Sequence, residues 1–67
     1  MITVTINGEA LRFEHALRVG ELVEHLGLVG KRIAIERNGE IVPRSEFAAR
    51  SLADGDRLEI VVAVGGG

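Results

Sequence analysis

Apolar and polar residues alternate strictly along Ile2-Thr3-Val4-Thr5-Ile6. A side-chain period of two, carried by β-branched residues, predicts a strand that turns Ile2, Val4 and Ile6 to one face. Asn7-Gly8 follows, and both residue types tolerate the positive φ of a type I′ turn. Glu9 to Phe13 is therefore predicted to pair back, with Leu11 and Phe13 inward. The period then changes. Val19, Leu22, Val23 and Leu26 fall at i, i+3, i+4 and i+7, which is one face of a helix, with Glu21, Glu24 and His25 on the other side. Gly27 is placed to end that helix in a left-handed conformation, and Leu28 to make the apolar contact such a cap carries. The entry is poorer. Arg18 is a weak N-cap and Gly20 sits in the first turn.

Val29-Gly30-Lys31 reads as a loop, after which Arg32 to Arg37 alternates again with Ile33 and Ile35 inward. Asn38-Gly39 is a second I′ signal, leading into Glu40-Ile41-Val42. Pro43 cannot donate a ladder hydrogen bond, so this strand lies at an edge or ends there. Arg44 to Arg50 is predicted to be irregular or one short turn, anchored by Phe47. Asp54-Gly55-Asp56 is a tight turn. Arg57 to Ala63 is the last strand, with Leu58, Ile60 and Val62 inward and Glu59, Val61 and Ala63 outward. The predicted class is α+β: a mixed sheet with one helix packed across one face; if the first and last strands are central and parallel, the helix supplies the crossover between the halves.

Composition narrows the possibilities. A chain of 67 residues forms one small domain with a marginal core. Phe13 and Phe47 are the only aromatic residues, so aliphatic side chains must fill that core. With no cysteine the chain has no disulfide, no thiolate metal ligand and no persulfide of its own. A net charge of −2 with interleaved signs and no aromatic platform argues against nucleic acid as a partner. The longest apolar run, Ile60 to Val64, is too short for a membrane span. The N-terminus lacks the pattern of a signal peptide, so the expected location is cytoplasmic. Residues 1–64 are expected to form the domain and 65–67 a flexible glycine tail.

The side-chain inventory contains no catalytic set. Gly27-Leu28-Val29-Gly30-Lys31-Arg32 only faintly suggests a phosphate loop: it lacks the first glycine, has Arg32 in place of the hydroxyl, and follows a helix. His15 and His25 have no ligand-like spacing, so no metal is expected. Ser45 and Ser51 have no evident His–Asp partners, and turn chemistry accounts for Asp54 and Asp56. What remains is the end, Ala63-Val64-Gly65-Gly66-Gly67. Glycines pack nothing, cost entropy to order, and terminal segments are expected to be mobile. At about 3.3–3.6 Å per extended residue, Val64 to Gly67 reach roughly 13 Å. That makes a narrow stalk presenting an unhindered α-carboxylate to another protein's active site. Apolar Val61, Ala63 and Val64 beside it are read as a docking surface. A frayed terminus and ordinary surface hydrophobicity remain open on these residues alone.

Several stretches together resemble the ThiS family, the sulfur carriers of thiamin thiazole biosynthesis. They are Val19-Gly20-Glu21-Leu22-Val23-Glu24-His25-Leu26-Gly27-Leu28, then Ala34-Ile35-Glu36-Arg37-Asn38-Gly39-Glu40-Ile41-Val42-Pro43-Arg44. Asp54-Gly55-Asp56 and Leu58-Glu59-Ile60-Val61, leading to Val64-Gly65-Gly66-Gly67, complete them. The resemblance covers nearly the whole chain, and the hairpin segment with the glycine end is its specific part. It implies the β-grasp, ubiquitin-like fold. It also implies that Gly67 is the reacting residue. A ThiF-like adenylyltransferase uses ATP to adenylate its carboxylate, sulfur from a persulfide donor replaces AMP, and the thiocarboxylate gives sulfur to a ThiG-like thiazole synthase. Gly66 matches the other half of the family's Gly-Gly end and is expected to let the tail thread. The chain is then a protein co-substrate with no bound cofactor, not an enzyme. The alternatives are a MoaD-like sulfur carrier for another pathway, a ubiquitin-like protein modifier, and a non-covalent β-grasp interaction module.

Overall fold

In the computed structural model, which describes residues 1–63, the alternating stretches become strands. In β1 (Ile2–Ile6) every second residue is buried. It pairs antiparallel with β2 (Glu9–Phe13), from Ile2 opposite Phe13 to Ile6 opposite Glu9. The turn between them holds Asn7 at φ 51° and Gly8 at φ 85°, as a type I′ turn requires. The second hairpin joins β3 (Ile33–Arg37) to β4 (Glu40–Val42) through Asn38 at φ 50° and Gly39 at φ 87°. Both alternatives for Pro43 hold: β4 is an edge strand and ends at Val42. The last strand, β5 (Arg57–Val62), takes the centre, in the order β2-β1-β5-β3-β4. It runs parallel to β1, the arrangement in which the helix supplies the crossover, and antiparallel to β3.

The helix α1 (Val19–His25) buries Val19, Leu22 and Val23. Its end is the predicted glycine cap. Gly27 sits at φ 71°, its N–H donates to the Glu24 carbonyl at 3.1 Å, and the Leu28 N–H donates to the Val23 carbonyl at 3.0 Å. This is the Schellman pattern, and Leu28 packs against the core. The entry works differently from its local reading. An arginine side chain has no acceptor, so Arg18 caps through its backbone alone: its N–H donates to Glu21 Oε1 at 2.7 Å and its carbonyl accepts from the Leu22 N–H at 3.0 Å. The next two N–H groups are satisfied from far along the chain: Val19 donates to the Arg50 carbonyl and Gly20 to the Phe47 carbonyl, each at 2.9 Å. A Cβ on Gly20 would stand 3.3 Å from that Phe47 oxygen. The apparent defect at Gly20 therefore permits a close approach between α1 and the segment after β4.

That segment is a 3₁₀ turn (Arg44–Glu46), followed by Phe47, which packs on the core as expected. Val4, Val19, Leu22, Ile35 and Leu58 are the large, fully buried side chains of an aliphatic core. Leu52 joins them, 2 % exposed, without having been singled out from the sequence. Val62 departs from expectation. It lies at the margin of an open hollow shared with Leu26, Leu28 and Ile60, and remains 41 % exposed. The strand also ends one residue early, at Val62, although the Ala63 N–H still donates to the Arg32 carbonyl at 2.9 Å.

Candidate docking face and tail exit

The last strand carries the candidate site, and its two ends are built from different chemistry. At the entry, the Asp54-Gly55 turn places Asp56 where it is 6 % exposed. Its carboxylate accepts from the Ala53 N–H at 2.8 Å, from Arg37 Nε at 2.8 Å and from Asn38 Nδ2 at 3.2 Å. Burial pushes the Asp56 pKa up. The bonds from Ala53, Asn38 and Arg37, with the Arg37 charge, outweigh that and hold it below the ordinary value of 3.8. Asn38 also closes on β5 directly: Oδ1 accepts from the Arg57 N–H at 2.9 Å, and its own N–H donates to the Arg57 carbonyl at 2.7 Å. Turn chemistry alone does not account for Asp54, whose Oδ1 accepts from the N–H of Thr3 in β1 at 2.7 Å. For Asp56 it is incomplete as well, because Asp56 also ties the second hairpin to the start of β5.

At the exit, the strand is held by a neutral amide. Backbone pairing with β1 stops at Ile6 opposite Leu58. The Asn7 N–H then donates to the Leu58 carbonyl at 2.9 Å. Its side chain continues the ladder, with Nδ2 donating to the Ile60 carbonyl at 3.0 Å and Oδ1 accepting from the Ile60 N–H at 2.8 Å. On the other side, β3 runs along β5 to Ile33 opposite Val62.

Of the docking residues expected from sequence, Val61 is 64 % exposed and Ala63 is exposed. Val64 lies outside the described residues, as do Gly66, expected to thread, Gly67, expected to carry sulfur, and the expected glycine tail. The register adds two residues that were not singled out. Ala34 stands directly opposite Val61 and is exposed. Ile41, 63 % exposed, stands opposite Glu36, which in turn faces Glu59. Alternation held the signal: if Ile33, Ile35 and Val42 face the core, then Ala34 and Ile41 face away from it. The outer face of the sheet thus gathers exposed Val61, Ala34 and Ile41 beside two carboxylates. Farther toward the entry it opens into a hollow of about 640 Å³, lined in part by Thr5, Glu36, Arg57 and Glu59. These groups suit recognition by contact and charge.

The other candidates stay apart. His15 and His25 are both exposed. The His25 ring lies edge-on to Phe13 with centroids 5.1 Å apart. Ser45 is in the 3₁₀ turn and Ser51 bridges to Arg18. Among the described residues, no three His, Cys, Asp or Glu side chains gather as a metal cage, and no helix is long and apolar enough to cross a membrane.

Comparison with known proteins gives a consistent result. The ThiS family model matches residues 4–67. A thiazole synthase of Paramagnetospirillum magneticum is 45% identical over 64 residues, which are 96% of this chain and 20% of that protein. The chain thus spans about a fifth of the length of that relative. A protein of Porphyra purpurea designated ycf40 is 36% identical over 98% of this chain and 93% of its own length. The crystal structure of the thiamine biosynthesis protein ThiS from Geobacter metallireducens superposes with a TM-score of 0.82 at 32% identity, covering 98% of this chain and 100% of that one.

Proposed function

The chain belongs to the ThiS family, the sulfur carriers of thiamin biosynthesis, and from that premise we propose that Gly67 is the residue on which the sulfur is carried. The observation behind this assignment is the family match, which runs through residue 67 and so takes in the whole glycine end. A carboxylate is a poor acyl donor because oxide is a poor leaving group. Reaction with ATP on an adenylating enzyme converts it to an acyl adenylate and releases pyrophosphate. A sulfur nucleophile then attacks the acyl carbon and expels AMP. Hydrosulfide gives the thiocarboxylate directly. A persulfide donor gives an acyl disulfide, and a thiol co-reactant must then cleave its S–S bond. Glycine at 66 and 67 keeps the reacting carbon unhindered.

In this reading the protein is a co-substrate of two enzymes. One is a ThiF-like adenylyltransferase, which brings the ATP, and Val61, Ala63, Ala34 and Ile41 form the face it docks on. The other is a ThiG-like thiazole synthase. The thiazole synthase relatives, which carry a stretch similar to nearly the whole of this chain, support that partner. Deleting Gly66 and Gly67 is expected to abolish ATP-dependent pyrophosphate release by the adenylating enzyme of the same organism, with the unfolding midpoint unchanged. Undiminished release from the truncated chain would remove the assignment to Gly67.

A further inference from the structure

We propose that Asn7 is a positioning residue for this reaction: its side-chain amide sets the line along which β5 leaves the sheet toward Gly67. The proposal rests on the carrier reading above, and its geometry is independent of it. A turn asparagine needs only to tolerate positive φ, and Asn7 at 51° does so. Its side chain does more. Nδ2 and Oδ1 bond both the C=O and the N–H of Ile60, 53 positions away, at 3.0 and 2.8 Å. The amide thereby stands in for one further residue of β1, at the point where that strand has already turned into β2. Both bonds are partly buried, where water replaces them poorly.

Ile60 is the last point at which β5 is gripped from both sides. Beyond it the described contacts that hold β5 in the sheet lie on the β3 side, at Val62 and at the Ala63 N–H. Without the amide, the β1 side of β5 would lose its hold two residues earlier, at Leu58. The segment from Ile60 would then pivot on β3 alone. Gly67 stands four residues beyond Ala63 in the sequence. A change at Ile60 therefore shifts Val62 and Ala63, the described end from which the chain continues to Gly67. Val61 stays paired with Ala34 and the Ala63 N–H with the Arg32 carbonyl on the β3 side, and no docking side chain is changed, so the effect is expected in delivery and not in docking. Asn38 makes the matching contact at the other end of β5, through its own Oδ1 to the Arg57 N–H. There it secures the strand far from the tail, so it offers a natural contrast.

Two substitutions separate the parts of the amide. Asn7→Gly keeps the turn, since glycine accepts positive φ, and removes both bonds. Asn7→Asp keeps an acceptor for the Ile60 N–H and loses the donor. With the adenylating enzyme of the same organism and ATP, kcat for pyrophosphate release is expected to fall roughly tenfold in Asn7→Gly, and by less in Asn7→Asp. Calorimetric affinity for that enzyme should stay within about twofold, because the docking side chains are unchanged. Hydrogen exchange should lose protection at Ile60 in Asn7→Gly and retain it in Asn7→Asp. Val42→Ala, on the far edge strand, is the control for stability alone and should leave kcat unchanged when each variant is assayed equally far below its own Tm. An unchanged kcat in Asn7→Gly, or an equal fall in Val42→Ala, would overturn the proposal. If the wild-type chain is not adenylated at all, the carrier reading fails. The exchange data then still decide the clamp: retained protection at Ile60 in Asn7→Gly overturns it.

Discussion

The two ends of β5 are held by asparagines from two equivalent hairpin turns, yet they are built for different tasks. The entry is charged: Asp56 is buried and tied to Ala53 and to the second hairpin, while Arg57 beside it is exposed. The exit at Ile60 to Ala63 is held by a neutral amide on one side, flanked by exposed Val61, and runs toward the residue proposed to react. A buried carboxylate that loses its partners is costly, so the entry resists change. A neutral amide clamp and an exposed apolar face cost little to keep, and they leave surface available to a partner. Stability and presentation are thus placed at opposite ends of one strand.

This division makes graded predictions. The largest effect is expected beyond the exit. Gly66→Ala adds a side chain at the position proposed to thread, and the rate of pyrophosphate release should drop by about a hundredfold with no change in urea midpoint. A lowered midpoint with an unchanged rate would invert the roles of the two ends. Next is the entry itself. Asp56→Asn removes the charge facing Arg37, which lies at 2.8 Å. Urea unfolding should show a loss of about 2 kcal/mol, and the rate of adenylation well below the new midpoint should match wild type. Smaller again, Val61→Asp charges an exposed position. Affinity for the adenylating enzyme should weaken roughly tenfold, about 1.4 kcal/mol, with stability within about 0.5 kcal/mol of wild type. Equal affinities in calorimetry would remove Val61 from the docking face.

The smallest effect is a pH dependence. The folded-state pKa of Asp56 lies below its ordinary value of 3.8. Its contribution is therefore present in full above that value and is lost as pH falls through the folded pKa. Thermal melts should show wild type losing stability below about pH 4 more steeply than Asp56→Asn. Parallel curves would mean that other carboxylates govern acid unfolding.

Much of the fold was legible because its signals are local. Alternation in Ile2–Ile6 and Ile33–Arg37, the two Asn-Gly pairs and the Gly27 cap each specify their own geometry. The outward-facing positions of β5 came from the same period. Features that depend on distant contacts were not legible. The burial of Asp56 depends on Arg37 and Asn38, 19 and 18 positions away. Nothing near Gly20 announces the Phe47 carbonyl against it. The second role of Asn7 depends on a strand 53 positions distant. Val62 reads as a core residue by period, yet it lines an open hollow with Leu26, Leu28 and Ile60 and stays exposed. The roles of Gly66 and Gly67 were never available from period or spacing. They come from resemblance to a family and from the chemistry of a carboxylate on glycine.

The most direct test of the carrier account is the intact mass of the protein through one cycle. The chain is incubated with the adenylating enzyme of its own organism, ATP and sulfide, then passed to the thiazole synthase with its small substrates. The account predicts replacement of one oxygen by sulfur in the first step, absent when Gly67 is deleted, and return to the starting mass in the second. An unchanged mass alongside an enzyme shown to be active on another carrier would contradict it.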